Sequence, residues 1–117
     1  MKRESSHFLN DILKNIEHIV DFVGTMSYDE FVKDLKTTYV VVHALEIIGE
    51  ATKNLPSKIR KRYPDVPWKD MMGLRDKAAH FYFGIDYRIV WNVVKEKLPA
   101  IKPRIESILE ELKGESL

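Results

Sequence analysis

The strongest constraint on this chain is a long run of mostly apolar residues at helical spacing, from Thr37 to Leu55. The β-branched residues between positions 37 and 42 would by local propensity alone favour a strand. The apolar positions nevertheless recur every three or four residues, which leaves a single narrow polar stripe of His43, Glu46, Glu50 and Lys53. A helix that is apolar on nearly all sides belongs at the centre of a bundle, so we predict this segment as the central element.

Helical periodicity continues on both sides of this segment. A wide apolar stripe from Phe8 to Val23 predicts a first helix that stops at Gly24. The residues from Ser27 to Glu30 have the pattern of a capping box, which predicts that a short second helix starts there.

The last third of the chain also has a helical pattern. We predict a helix after Gly84, capped by Asp86, with a buried stripe formed by Ile89, Val90, Val93, Val94 and Leu98. Pro99 and Pro103 are expected to kink or break the chain before a final amphipathic run from 101 to 112, ending at Gly114. No strand pairing is indicated. The sequence therefore predicts one all-α domain over residues 1–117, a bundle of about five helices.

Composition excludes several classes of protein. The 117 residues contain no cysteine, which rules out thiol chemistry and cysteine-based zinc sites. No stretch approaches the roughly 20 apolar residues of a membrane span, and the N-terminus lacks a signal-peptide core. We expect a cytoplasmic protein. A net charge of +1 gives no global argument for nucleic acid, so such a function must come from local clusters of charge.

One such cluster is the short segment between Pro56 and Pro64, which carries Lys58, Arg60, Lys61 and Arg62. These side chains are candidates for contact with phosphate, although a charge run is also typical of a solvated helix face. The following residues, Val66-Pro67-Trp68, predict a rigid corner with an aromatic anchor.

The chemistry-bearing stretch follows this corner, on a helix predicted from about Trp68 to Phe83. At about 100° per residue, this helix places Arg75, Asp76, His80 and Tyr82 on one broad face. Asp76 and His80 are four residues apart, so the carboxylate can hold the imidazole in one tautomer. From spacing alone, an ordinary charge pair on a solvated helix face remains open.

An arginine beside a histidine suits a reaction at phosphate, because the imidazole can move a proton and the guanidinium can stabilise charge on phosphoryl oxygens. This chemistry needs no metal and no cofactor, and Asp76 with His80 would supply only two metal ligands. One histidine lacks a second acid or base, which a two-fold dimer could supply as a second copy of Arg75 and His80. The small Ala78 and Ala79 permit close helix approach, and ordinary packing within one chain would explain them too.

The order of several motifs carries a resemblance to a known family. The segment from Arg75 to Tyr82 resembles the R-x4-H-x-Y motif of HEPN-domain proteins, specifically the HepT-like toxins that pair with a minimal nucleotidyltransferase antitoxin, MntA. Other stretches resemble the same family in the same order, and together they cover almost the whole chain: residues 45–51, 62–64, 67–68, 82–86 and 89–91.

The resemblance implies a helical bundle that dimerises through the motif helices and cuts RNA without metal. It implies that Arg75 and His80 are catalytic and that Asp76, where asparagine is common, orients His80 or the substrate. Tyr82 would be the hydroxyl that the partner nucleotidyltransferase modifies with AMP, which blocks the cleft. Phe81 and His43 depart from the family pattern.

The motif and the resemblance lead to three alternative hypotheses for the function. The first is a homodimeric, metal-independent endoribonuclease, the toxin of a toxin–antitoxin pair. The second is a non-catalytic module that docks on a nucleotidyltransferase and presents RNA or a nucleotide to it. The third is a structural helical dimer in which Arg75 and His80 only form interface hydrogen bonds.

Overall fold

The computed structural model describes residues 2–74, 76–77 and 87–115 of the chain. Within these ranges the secondary structure is helical, and no strand occurs. The all-α prediction is therefore confirmed. None of the helices in these ranges is long and apolar enough to cross a membrane.

Helix α1 spans Lys2–Val23 and ends where the sequence predicts. Gly24 follows it with a φ of 53°, a left-handed conformation that glycine adopts without strain, and its N–H bonds the Val20 carbonyl at 2.8 Å. Helix α2, Tyr28–Lys33, begins with the predicted capping box, in which Ser27 and Glu30 each accept a hydrogen bond from the other's backbone N–H. Phe31 on this helix is fully buried.

Helix α3, Leu35–Asn54, is the predicted central helix. The side chain of Asp34 caps its start by accepting a hydrogen bond from the N–H of Thr37 at 3.0 Å. The hydroxyls of Thr38 and Thr52 donate to carbonyls three and four residues earlier, so these β-branched residues are buried without losing their hydrogen bonds. Burial in a helix core outweighs the strand propensity of this segment.

Two short helices follow, α4 at Ser57–Arg62 and α5 at Trp68–Met72. Helix α3 packs most extensively against α1 and also against α5, and α1 packs against the last helix of the chain. The core between these helices is mostly aliphatic. Its largest fully buried side chains include Leu9, Ile12, Ile16, Ile19, Phe31, Leu45, Ile48, Leu55, Met71, Leu98, Ile105 and Ile108.

The C-terminal region is one continuous helical run, composed of helix α6 at Tyr87–Asn92, a π-helical segment at Val93–Lys97, and helix α7 at Leu98–Glu115. The chain therefore does not break at Pro99 and Pro103, and the predicted alternative of a kink stays a prediction. The N–H of Leu98 bonds the carbonyl of Val93, five residues earlier, so the wider π turn comes directly before Pro99, which has no N–H to donate. Helix α7 then continues through Pro103 and past Gly114.

Two predictions for the start of this run have different outcomes. Val90, Val93, Val94 and Leu98 are buried as predicted, but Ile89 is 42% exposed. On an α-helix Ile89 points about 100° away from Val90, which places it at the edge of the buried stripe. The predicted break at Gly84 and cap at Asp86 lie outside the described residues.

Candidate functional site

The corner before α5 sets the direction in which the chain enters the motif stretch. Trp68 is 6% exposed, and its indole N–H donates to the carbonyl of Tyr63 at 2.9 Å. Met71, on the same short helix, is 1% exposed. The predicted aromatic anchor is confirmed, and it fixes α5 against the core.

The motif stretch begins at an interruption of the helix. Helix α5 ends at Met72, and Gly73 follows with φ −74° and ψ −8°, its N–H bonded to the Lys69 carbonyl at 3.1 Å. Helical structure resumes at residues 74, 76 and 77, where the N–H of Lys77 bonds the carbonyl of Gly73 at 3.1 Å. The uninterrupted helix predicted from Trp68 is therefore wrong at Gly73, a residue that costs about 1 kcal/mol in a helix interior.

The turn after Gly73 has one buried and one exposed side. Leu74 is 4% exposed and faces the core, whereas Asp76 and Lys77 are exposed. Asp76 is thus on the solvent side of the turn, where its carboxylate is accessible. Arg75, His80 and Tyr82 lie outside the described residues, as do Ala78, Ala79 and Phe81. The pairing of Asp76 with His80 therefore stays a prediction.

The four cations of the basic segment, all on helix α4, have different surroundings. Lys58 and Lys61 are exposed. Arg60 is half-buried and donates from Nη1 to the sulfur of Met72 at 3.1 Å, while its buried Nε has no partner among the described atoms. Arg62 donates from both terminal nitrogens to the carboxylate of Glu115, with one of the two bonds 3.0 Å long. Contact of these cations with RNA stays a prediction.

Comparison with known proteins gives the family. The model of the family described as "Ribonuclease HepT-like" matches residues 12–108. The chain is 49% identical over 97% of its length to "Putative RNase MJ0127" of Methanocaldococcus jannaschii, covering 94% of that protein. It is also 43% identical over 92% of its length to "Probable ribonuclease HepT" of Thermococcus cleftensis, covering 98% of that protein. No solved structure matches the chain significantly.

The chain belongs to the HepT-like ribonuclease family. The resemblance identified from the sequence is therefore confirmed at the level of the family. The matched range includes the whole stretch from Arg75 to Tyr82 and the basic helix α4 before it. The roles of the individual site residues stay predictions.

In this HepT-like chain, a polar cluster ties the C-terminal helix to the segment that precedes the motif. Tyr63 is 5% exposed, and its hydroxyl donates to the Glu111 carboxylate at 2.5 Å. Burial, followed by this hydrogen bond, raises the pKa of Tyr63 to about 12. The guanidinium carbons of Arg62 and Arg104 lie 5.2 and 5.4 Å from the centre of its ring.

A second ion pair extends this cluster to the corner before α5. Arg104 on α7 donates from Nε to Asp65 at 2.5 Å, and this hydrogen bond lowers the pKa of the Asp65 carboxyl. The bond to Glu115 likewise raises the pKa of Arg62. Sequence reasoning missed these contacts, because the partners are far apart in the chain and none follows a helical spacing.

No group of three histidine, cysteine or acidic side chains suited to a metal occurs within the described ranges. Of the histidines there, His7 lies 3.6 Å from Asp11 on α1, and His18 and His43 are exposed.

Proposed function

We propose that this HepT-like protein is a metal-independent endoribonuclease and the toxin of a toxin–antitoxin pair, acting in the cytoplasm. The observation that carries the proposal is the family match, which extends over the R-x4-H-x-Y motif from Arg75 to Tyr82. The exposed Asp76 and Lys77, on the solvent side of the motif's first turn, support an accessible site.

In the proposed reaction, His80 takes the proton from a ribose 2′-hydroxyl while that oxygen attacks the neighbouring phosphorus. The bond from phosphorus to the 5′-oxygen breaks, and this oxygen receives a proton from a second acid. Arg75 stabilises the negative charge that develops on the phosphoryl oxygens. The products are a 2′,3′-cyclic phosphate and a free 5′-hydroxyl, and no step requires a metal or a cofactor.

We assign the second acid to His80 of a second copy of the chain. A homodimer that places two motif helices face to face brings two copies of Arg75 and His80 to one cleft. Asp76 orients the histidine, because a carboxylate four residues earlier on a helix is within reach of the ring. Lys58, Arg60, Lys61 and Arg62 are the proposed RNA-binding cations, and Lys58 and Lys61 are the most accessible of them.

Regulation in this proposal acts on Tyr82. A minimal nucleotidyltransferase antitoxin transfers AMP from ATP to its hydroxyl: the tyrosine oxygen bonds the α-phosphorus, and pyrophosphate leaves. A bulky anion two residues from His80 would exclude RNA from the cleft by its volume and by its charge.

The test is RNA cleavage by the pure protein in the presence of EDTA, with analysis of the product ends. We expect cleavage with 2′,3′-cyclic phosphate ends, and a loss of about 100-fold or more in His80→Ala. The matched control is His43→Ala, an exposed histidine on α3, which should cleave as the wild type does. Cleavage by His80→Ala at the wild-type rate would refute the assignment. No cleavage of any RNA, with tight binding to a nucleotidyltransferase, would favour the non-catalytic module.

A further inference from the structure

Helix α6 and the π-helical segment present aromatic rings and cations next to the start of α2. The ring of Trp91 lies against that of Phe31, with centroids 5.2 Å apart, and edge-on to that of Tyr28 at 5.9 Å. The guanidinium carbon of Arg88 lies 4.3 Å from the centre of the Tyr28 ring, and the ammonium of Lys95 lies 5.1 Å from that of Trp91. We call Tyr28, Arg88, Trp91 and Lys95 the aromatic–cation patch.

The aromatic–cation patch has a buried side, which contacts Phe31, and an exposed side. Phe31 is fully buried, which fixes the inner side of Trp91, while Trp91 and Tyr28 are themselves half-buried. Arg88, Trp91 and Lys95 follow one another at spacings of three and four, so they share one face of the helical run. Arg88 and Lys95 are exposed on that face. The guanidinium of Arg88 lies over the Tyr28 ring, and the ammonium of Lys95 lies over the Trp91 ring.

We propose that the aromatic–cation patch is a subsite for single-stranded RNA, an inference that rests on the proposed ribonuclease function and extends it. Unpaired bases stack on aromatic rings and on guanidinium planes, and lysine and arginine hold the phosphates between them. The bases of a duplex already stack on each other and present no free face to such rings. The patch therefore selects single strands.

The helix that carries most of the patch follows the motif closely in sequence. Helix α6 starts at Tyr87, five positions after Tyr82. Two exposed acids, Asp29 and Glu96, adjoin the patch in sequence and reduce its positive charge. Base stacking, rather than net charge, therefore carries the selectivity of this subsite.

The experiment uses the fluorescence of Trp91. The chain has two tryptophans, so Trp68→Phe leaves Trp91 as the single indole. The probe is a short 2′-O-methylated oligonucleotide, which lacks the 2′-hydroxyl needed for cleavage. We expect saturable quenching by the single strand and little quenching by the same strand annealed to its complement. Equal responses to the two, or none, would overturn the subsite.

Paired variants separate stacking from charge, with the dissociation constant of the same labelled oligonucleotide measured by anisotropy on the otherwise wild-type chain. Tyr28→Ala should weaken binding by about tenfold, whereas Tyr28→Phe, which keeps the ring, should bind as the wild type does. Arg88→Lys keeps the charge but loses the planar face, so it should also weaken binding. Lys113→Ala removes an exposed cation far along α7 and serves as the control. Wild-type affinity in both Tyr28→Ala and Arg88→Lys would contradict the proposal.

The failure of this subsite is distinguishable from the failure of the ribonuclease. A protein that cleaves RNA in EDTA but gives no Trp91 quenching would retain the proposed function and lose the subsite. Quenching by the uncleavable single strand without any cleavage of RNA would retain the subsite and refute the nuclease.

Discussion

The hydroxyl of Tyr63, at the end of α4, donates a 2.5 Å hydrogen bond to the carboxylate of Glu111 on α7, a residue 48 positions later in the chain. This bond joins the segment that leads into the motif to the last helix of the protein. Tyr63 is 5% exposed, whereas Glu111 is exposed, so the bond is partly buried.

This relationship predicts a specific pH dependence of stability. The pKa of Tyr63 in the folded protein is raised to about 12, above the value of about 10 expected in the unfolded chain. A raised pKa means that the folded protein favours the protonated hydroxyl. The contribution of this hydroxyl to the free energy of unfolding is therefore complete below about pH 10 and is lost as the pH rises toward 12. We expect the free energy of unfolding in urea to fall over this window. Tyr63→Phe isolates the contribution of the tyrosine: the variant should be less stable than the wild type at pH 8, with the difference shrinking as the pH rises. A difference that stays constant to pH 12 would contradict this account.

The ion pair between Arg62 and Glu115 predicts that the cations of α4 are unequal in RNA binding. Arg62 is already bound by a carboxylate, and Lys61 beside it is exposed. We expect Lys61→Ala to reduce the salt dependence of RNA affinity by the amount that corresponds to about one lost phosphate contact. Arg62→Ala should reduce this salt dependence less. The measurement is the slope of log affinity against log salt, with an uncleavable RNA. The variant Glu115→Gln, which keeps Arg62, provides the control, since removal of the acid should release Arg62 and steepen the slope. Equal slopes for Lys61→Ala and Arg62→Ala would show that the ion pair does not restrain Arg62.

Local patterns in the sequence predicted most of the fold. The stop at Gly24, the capping box at Ser27 and the helix through Thr37 and Thr38 each depend on residues within a few positions of one another, and each is confirmed. The exposure of Ile89 was not predicted, because it depends on how the helix sits against the rest of the bundle.

The motif of the candidate site could be predicted from the sequence, but the contacts that support it could not. The motif stretch and the family follow from short, ordered patterns in the sequence. The contacts that support the preceding segment join residues 39 to 53 positions apart, as in Arg104 with Asp65 and Arg62 with Glu115. Helical periodicity fixes which face a side chain occupies but not which distant helix faces it. Only the three-dimensional packing of α7 against the end of α4 shows these pairs.

The helix that continues through Pro103 predicts a stabilising substitution. Proline inside a helix costs about 3 kcal/mol, because it lacks the N–H and its ring crowds the carbonyl four residues earlier. Pro103 is exposed, so alanine fits without repacking the core. After about 1 kcal/mol is subtracted for the more flexible unfolded chain, we expect Pro103→Ala to stabilise the protein by about 2 kcal/mol in urea denaturation. A loss of stability would indicate that the helix is bent at Pro103 in a way that alanine does not reproduce.

The proposed sharing of one cleft by two chains predicts how activity falls when His80→Ala chains are mixed with wild-type chains. If each cleavage needs one His80 as base and another as acid, a mixed dimer has only one of them and loses about 100-fold or more in rate. Only dimers with two wild-type chains then remain active, so after co-refolding the activity should fall as the square of the wild-type fraction. Two independent sites would instead give a linear fall, because each wild-type chain would keep its own activity.

Mixing with His43→Ala, whose substituted side chain is exposed on α3, should leave the activity unchanged and controls for the refolding step. A linear fall with His80→Ala would contradict the shared cleft while leaving His80 itself as a catalytic residue of each separate chain.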